Sequence, residues 1–208
     1  MKIHKHLLLY LILGFIVSTI VGTLSHEFGH YSVAKLFGYD ARMSYATTWW
    51  GKYYPEQIIN RFDGYYITLG GPMQTMLTGT IGFIVLCINR KSFQIAQKLS
   101  FKQWFFIFLA LFWLRQIVIF AIQVAKLLFA TKYRSYADEV KLTYYLHLPI
   151  WTITTFTALI GMVIFALVIF KFIPQQQRIT FILAGLIGGV SGYVLWLKIL
   201  GPTILPCS

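Results

Sequence analysis

Charged side chains are absent from four long stretches of the chain. These stretches, of 18 to 29 residues each, are Leu7–Leu24, Tyr65–Asn89, Leu142–Phe170 and Ile179–Leu197. A helix needs about 20 apolar residues to cross the hydrocarbon part of a bilayer, so each stretch is long enough for a transmembrane helix. A fifth apolar stretch, Gln103–Phe129, carries Arg115 near its middle. The pattern predicts an all-α membrane protein, a polytopic bundle of five to six transmembrane helices.

The boundaries between these elements follow from the positions of proline, glycine and charge. The first helix is predicted to extend to about Phe37. Pro149 divides the longest uncharged stretch into a short helix from about Asp138 to Leu148 and a span over Ile150–Phe170. The segment Gly38–Gly64 is rich in Tyr, Trp and Thr, which favours a short surface segment with a small β element. Without an internal repeat or linker, residues 1–208 are predicted to form one integral-membrane domain.

Alternation of the spans distributes the connecting segments between two faces of the membrane. Face A receives Met1–His6, Arg90–Lys102 and Lys171–Arg178, whereas face B receives Gly38–Gly64, Thr131–Leu148 and the C-terminus. Lys and Arg number eight on face A and nine on face B. Because cytoplasmic loops are recognised by an excess of these residues, the charges leave the orientation of the protein open.

The overall composition supports a membrane location and excludes some other classes. Hydrophobic residues make up 58% of the chain and charged residues 12%, about half the share that is usual in soluble domains. The net charge of +12 comes mostly from short loops, where Lys and Arg meet anionic lipid headgroups. No basic helix or aromatic-rich soluble module is evident, so nucleic acid is not an expected partner. Cys87 and Cys207 provide neither a disulfide framework nor a metal-binding spacing. We expect a multi-pass integral protein of the cell membrane, in contact with lipid.

One motif on the first apolar helix indicates chemistry. His26-Glu27-Phe28-Gly29-His30 has the pattern H-E-x-x-H, and residues four apart lie on one helix face. Two imidazoles so placed can share one metal ion, and Glu27 can serve as general base toward a metal-activated water. The alternative is a pair of hydrogen-bonded histidines at a helix interface. His26 lies about 29 Å along the helix from Leu7, which places the predicted site toward face B.

Small residues precede the two histidines on the same helix. Gly14, Ser18 and Gly22 occur at spacings of four that continue to His26 and His30. Small residues allow helices in membranes to approach closely. We therefore expect this face to pack inside the bundle and the two imidazoles to point away from lipid.

With these residues, the chain resembles the site-2-protease family of intramembrane zinc metalloproteases. The resemblance covers roughly Gly14–Leu148 and is strongest at His26–His30. A second part, Leu69–Thr75, looks like the family's Gly-Pro opening of the next core helix, with Thr75 where the family pattern usually has Asn. A plain helix start, packed closely at Gly79 and Gly82, explains this second part equally well. The resemblance implies a protease-like core at about residues 7–148 and additional helices at 150–200.

The resemblance also implies a third zinc ligand, an Asp from an Asp-Gly element after the third core helix. No such dipeptide follows the third span here, and the only one, Asp63-Gly64, precedes the second span. Asp138 has the family's order along the chain and lies on face B, so it is the favoured ligand. Asp63, Glu139 and His147 are the alternatives. Asp138 and Glu139 also suit the first turn of a short helix, where the helix dipole favours acidic residues.

Polar and aromatic residues elsewhere have less specific interpretations. Arg115 in mid-span must find a partner, either a buried carboxylate, a substrate carbonyl or a polar group of a neighbouring helix. The pairs Trp49-Trp50, Tyr53-Tyr54 and Tyr65-Tyr66 are typical of an interfacial aromatic belt. A substrate-binding strand near Ala46–Trp50 is the alternative interpretation of part of this belt.

The sequence thus predicts a zinc-dependent intramembrane endopeptidase that acts on membrane-spanning substrates. Zn2+ is expected on His26, His30 and Asp138, with Glu27 as the catalytic base. Two other classes remain open. One is a non-proteolytic scaffold or metal-binding protein derived from such a fold. The other is an ion transporter, which the lack of an inverted repeat disfavours.

Overall fold

The computed structural model describes residues 3–51, 60–129 and 137–206. In chain order these contain α1 (Lys5–Leu36), β1 (Ala41–Met43), β2 (Thr48–Trp50), α2 (Arg61–Ile88), α3 (Arg90–Ile95), α4 (Phe101–Ala110), α5 (Leu114–Phe129), α6 (Asp138–Tyr145), α7 (Thr152–Leu167), α8 (Gln175–Val194) and α9 (Gly201–Ile204). A 3-10 turn at Leu111–Trp113 joins α4 to α5, and π-helical turns follow α7 and α8. Tyr53, Tyr54, Cys207 and the first residues of the loop from Thr131 lie outside the described residues.

Among the described residues, five helical segments are long and apolar enough to cross a membrane. They are Lys5–Leu36, Arg61–Ile88, Phe101–Phe129, Thr152–Phe172 and Gln175–Ile204. The only strands described are β1 and β2, which pair antiparallel between the first two spans. The predicted all-α bundle and the predicted small β element are both confirmed.

Contacts between helices show that successive spans run in opposite directions. The end of α1 contacts the start of α2, since His30 Nδ1 lies 2.7 Å from the Ile67 carbonyl oxygen. At the other end of the bundle, the His4 amide donates to Thr180 Oγ1 of α8 at 3.3 Å, so α1 and α8 run parallel. This arrangement agrees with the predicted alternation of loops between faces A and B.

The aromatic core lies in the half of the bundle nearer to face A. Phe181 of α8 stacks on Trp104 of α4 at 5.8 Å and meets Phe15 of α1 at 5.3 Å between ring centroids. Gly14 packs against the Phe108 ring, whereas a side chain at Gly22 would meet nothing within 4 Å. The predicted small-residue face is therefore a packing face at Gly14 but not at Gly22.

The Gly-Gly-Pro element lies inside α2 and does not open a helix. Asn60 caps α2 by accepting from the Phe62 amide, and Pro72 follows three turns later. The prediction of a helix start at Pro72 is wrong. Proline has no backbone N–H group, and α2 continues through Pro72 despite the loss of that one hydrogen bond. The predicted close packing is confirmed, since added Cβ atoms at Gly79 and Gly82 would collide with Trp113 and Ala110.

The β1–β2 hairpin is attached to the C-terminal part of the bundle. Its turn closes with a hydrogen bond from the Ser44 amide to the Thr47 carbonyl at 2.8 Å. Trp196 Nε1 donates to the Tyr45 carbonyl at 2.9 Å, and the Tyr45 amide donates to the Leu205 carbonyl at 3.0 Å. These contacts fix the hairpin over the end of α1 that carries the histidines.

Labelling of single cysteines tests the alternation of the spans. We expect cysteines at Ser92 and Gln176 to be labelled from one side of the membrane, and cysteines at Gly51 and Tyr144 from the other. The physical reason is that a span of about 20 apolar residues crosses the bilayer once. A membrane-impermeant maleimide applied to intact cells makes the measurement. Labelling of Ser92 and Tyr144 from the same side would show that the third span does not cross.

Candidate metal centre

The two histidines of the H-E-x-x-H motif meet inside the bundle. The side chains of His26 and His30 are 1% and 4% exposed, and their Nε2 atoms lie 3.2 Å apart. Close contact between α1 and α2 makes this burial possible, because an added Cβ at Gly29 would lie 2.5 Å from the Gly70 carbonyl oxygen. The prediction that both imidazoles point into the bundle is confirmed.

Asp138, the first residue of α6, contacts both imidazoles. Its Oδ2 atom lies 3.1 Å from His26 Nε2 and 3.2 Å from His30 Nε2. Lys141, one turn later, donates to the other carboxylate oxygen at 3.1 Å. Burial acts to raise the pKa of the Asp138 carboxyl, whereas the charge of Lys141 acts to lower it and favours the carboxylate anion.

The hydrogen-bond partners of His26 fix the position of its ring proton. Arginine only donates hydrogen bonds, and Arg115 Nη2 lies 2.8 Å from His26 Nε2. His26 Nε2 therefore carries a lone pair, and the proton on Nδ1 is donated to Thr75 Oγ1 at 3.0 Å. The Thr75 hydroxyl in turn donates a hydrogen bond to the Gly71 carbonyl oxygen at 3.1 Å. Thr75, at which the second motif departs from the family pattern, thus orients the first histidine.

The partner of His30 has the same effect. Two backbone groups contact His30 Nδ1: the Ile67 carbonyl oxygen, which only accepts, at 2.7 Å, and the Gly71 amide, which only donates, at 3.3 Å. The shorter contact favours a proton on Nδ1. In its neutral form the ring then presents a lone pair at Nε2. Nε2 of both histidines and Oδ2 of Asp138 face one another, an arrangement suited to binding a cation.

The size of this triangle fits a metal ion such as zinc. Four ligands at about 2.0–2.1 Å in a tetrahedron are separated by about 3.3 Å, close to the 3.1, 3.2 and 3.2 Å between the three donor atoms. Gly71 keeps the space open, because an added Cβ there would collide with Nε2 of both histidines. Imidazole nitrogen and carboxylate oxygen are donors that zinc accepts, and three protein ligands leave a fourth position open.

Glu27 lies beside this triangle and is held by the hairpin. Its side chain is buried, and it forms with His26 and His30 a group whose ligand atoms all lie within 4.8 Å of one another. Thr48 of β2 contacts the Glu27 carboxylate at 3.1 Å and its carbonyl oxygen at 2.9 Å. The same strand places the Trp50 ring against His30, with 6.4 Å between ring centroids. Sequence reasoning considered a strand here but gave no role to Thr48.

Two of the alternative third ligands lie apart from the triangle. Asp63 accepts a hydrogen bond from the Tyr39 hydroxyl at 2.7 Å, and this bond, with burial, raises the pKa of Tyr39. His147 is exposed, has a positive φ of 54° and lies 2.9 Å from Arg61 Nη2. Both side chains are thus occupied elsewhere, and of the sequence candidates Asp138 alone contacts both histidines.

Glu139, the remaining alternative, lies on the opposite side of Arg115 from the histidines. Its side chain is 1% exposed, and Oε1 lies 3.6 Å from Arg115 Nη1. Of the alternatives left open for Arg115, the structure shows a buried carboxylate, and it adds a contact to His26 that the sequence did not indicate.

The converging donor atoms are the basis for interpreting this site. Comparisons of the chain with protein-family models, curated proteins and solved structures give no match.

Proposed function

We propose that this protein is a zinc-dependent intramembrane endopeptidase. The observation that carries the proposal is the triangle of His26 Nε2, His30 Nε2 and Asp138 Oδ2 with the Glu27 carboxylate beside it. Both tautomers are set by outer hydrogen bonds, an arrangement that orients histidine ligands in metalloproteins. The fourth coordination position, next to an acidic side chain, distinguishes a catalytic zinc site from a closed structural one.

Proton transfer is the task of Glu27. A bound zinc ion would lower the pKa of a coordinated water molecule and polarise the carbonyl group of the substrate. Glu27 accepts the proton of the attacking water and passes it to the nitrogen of the leaving amine. Thr48 fixes the carboxylate by its hydrogen bond, so that the base does not have to be ordered during the reaction.

The surroundings of the centre support a membrane-spanning substrate. The histidines lie near the end of a 32-residue apolar helix within a bundle of five such helices. Backbone groups of a helix in lipid are satisfied internally, so a transmembrane substrate has to unwind locally to expose its scissile bond. We place the protein in the cell membrane as a multi-pass protein in contact with lipid.

The direct test combines metal analysis with cleavage. Detergent-purified protein should contain about one zinc ion per chain, and it should cleave a co-expressed transmembrane reporter in a manner that depends on Glu27. Zinc without any cleavage of a panel of transmembrane helices would favour the non-proteolytic metal-binding scaffold. If the purified protein contains no zinc and cleaves none of these helices, the proposal is wrong.

Loss of the Thr48 hydroxyl should slow the reaction without removing zinc. Thr48→Val keeps the shape of the side chain but deletes the hydroxyl, whose one proton is shared between the Glu27 carbonyl oxygen and the Glu27 carboxylate. One hydrogen bond to a charged group contributes about 1.5–3 kcal/mol, so we expect the cleavage rate to fall about tenfold or more. Thr48→Ser is the matched control, because it restores the hydroxyl. Equal rates in the Val and Ser variants would show that Thr48 does not position the base.

A further inference from the structure

Arg115 and Glu139 form a second charged pair beside the metal centre that the proposed chemistry does not yet use. Arg115 Nη2 donates to the His26 Nε2 lone pair at 2.8 Å, the same lone pair that a metal ion requires. Once that lone pair binds a metal, this N–H group has to find another acceptor. It then borders the coordination shell, where oxygen atoms of a substrate enter.

Glu139 explains how a guanidinium is tolerated next to a divalent cation. Among the described residues, both Glu139 carboxylate oxygens and Arg115 Nη1 lack a hydrogen-bond partner, although Nη1 and Oε1 are only 3.6 Å apart. A buried carboxylate at this depth is costly unless it is paired. Its negative charge offsets the guanidinium, so the pair adds a hydrogen-bond donor to the centre without adding net charge.

We propose that Arg115 is a catalytic residue that donates a hydrogen bond to the carbonyl oxygen of the scissile peptide, with Glu139 as the positioning residue that balances its charge. This inference rests on the proposed peptidase function. When water adds, its oxygen bonds to the carbonyl carbon, the C=O electron pair moves to the carbonyl oxygen, and the water proton goes to Glu27. When the C–N bond breaks, its electron pair takes that proton and the C=O bond re-forms. Arg115 stays protonated throughout.

A donor aimed at a developing negative charge stabilises the transition state more than the substrate. Such a donor lowers the barrier because the charge on the oxygen exists fully only after water has added. Arginine suits this task because it remains charged and offers N–H groups in a fixed plane. Arg115 has a second N–H group free to face Glu139 while the first faces the substrate.

Anion binding to the cobalt-loaded protein tests this placement without any cleavage assay. The purified full-length chain is loaded with Co2+, whose visible absorption reports an intact centre, and is titrated with azide. We compare wild type with the double variant Arg115→Met/Glu139→Gln, which has the same net charge but lacks the donor. The dissociation constant of azide should rise about tenfold or more, the size expected for one charge-assisted hydrogen bond.

The outcomes separate this inference from the proposed function. Equal azide affinity in both proteins, with the cobalt absorption intact, would overturn the role of Arg115. The same result would still support the proposed metal site. Absence of cobalt absorption in the wild type would overturn both. If the double variant fails to fold, Arg115→Lys decides, because it keeps the charge but not the reach of the guanidinium. Unchanged azide affinity in that variant would also overturn the inference.

Discussion

Replacing Glu27 by Gln should leave zinc in the protein and lower the rate of cleavage by about 10²–10⁴. Gln has the size of Glu and still accepts a hydrogen bond from Thr48, so the packing around the end of α1 is kept. It cannot take a proton from water at neutral pH. The measurement is the cleavage rate of a transmembrane reporter under single-turnover conditions, with zinc determined on the same sample.

Glu27→Asp is the matched control for this experiment. It keeps the carboxylate but withdraws it by one methylene group, so we expect an activity between those of wild type and Glu27→Gln. Unchanged cleavage in Glu27→Gln would end the hypothesis of a metalloprotease, since Asp138, the other described carboxylate at the two histidines, is assigned as a metal ligand and not as the base.

Removing Asp138 should abolish stable zinc binding. Changes to outer partners of metal ligands typically weaken binding by about 10–100-fold, and we expect Asp138→Ala, which removes a direct ligand, to exceed this. The carboxylate also offsets charge on an ion among apolar helices. His26→Ala and His30→Ala should have the same effect. Metal content after dialysis of the detergent-purified variants against a mild chelator makes the measurement.

Asp63→Ala is the control for Asp138→Ala, and Glu139→Ala is the comparison in which the acid beside Arg115 is lost. Neither side chain contacts the two histidines, so we expect Asp138→Ala to weaken zinc binding far more than either of these variants. Asp63 is bound to the Tyr39 hydroxyl, and Glu139 faces Arg115. Full zinc in Asp138→Ala with loss in Asp63→Ala would reverse the assignment. Full zinc in all three variants would point to His147 or to a site closed by water.

The spans and the first half of the centre were predictable because they depend on local spacing. Charge-free stretches set the helices, and the interval of four between His26 and His30 set their common face. Asp138 was predictable only through its order in the chain. Its neighbour Glu139 lies about 100° further around the helix, so the two acids face different partners, His26 and Arg115, a division that composition alone does not reveal.

Contacts between distant segments were the part that the sequence did not indicate. Thr48 reaches Glu27 only because β2 pairs with β1 and the hairpin turn is fixed by Trp196 and Leu205. Pro72 was misplaced as a helix start because its local preference is overridden by the packing of α2 against α1. Gly22 fits the spacing of the small-residue face, yet an added Cβ there would meet nothing within 4 Å, so this position is not a close helix contact.

The attachment of the hairpin to Trp196 and Leu205 has a consequence for biosynthesis. The segment that holds Glu27 leaves the ribosome before α8 and α9 do. The contacts from Trp196 Nε1 to the Tyr45 carbonyl and from the Tyr45 amide to the Leu205 carbonyl therefore form only after α8 and α9 have been inserted. During its own synthesis the protein carries the proposed catalytic residues without the contacts that order the hairpin, so nascent helices passing through the same insertion machinery meet an incomplete site.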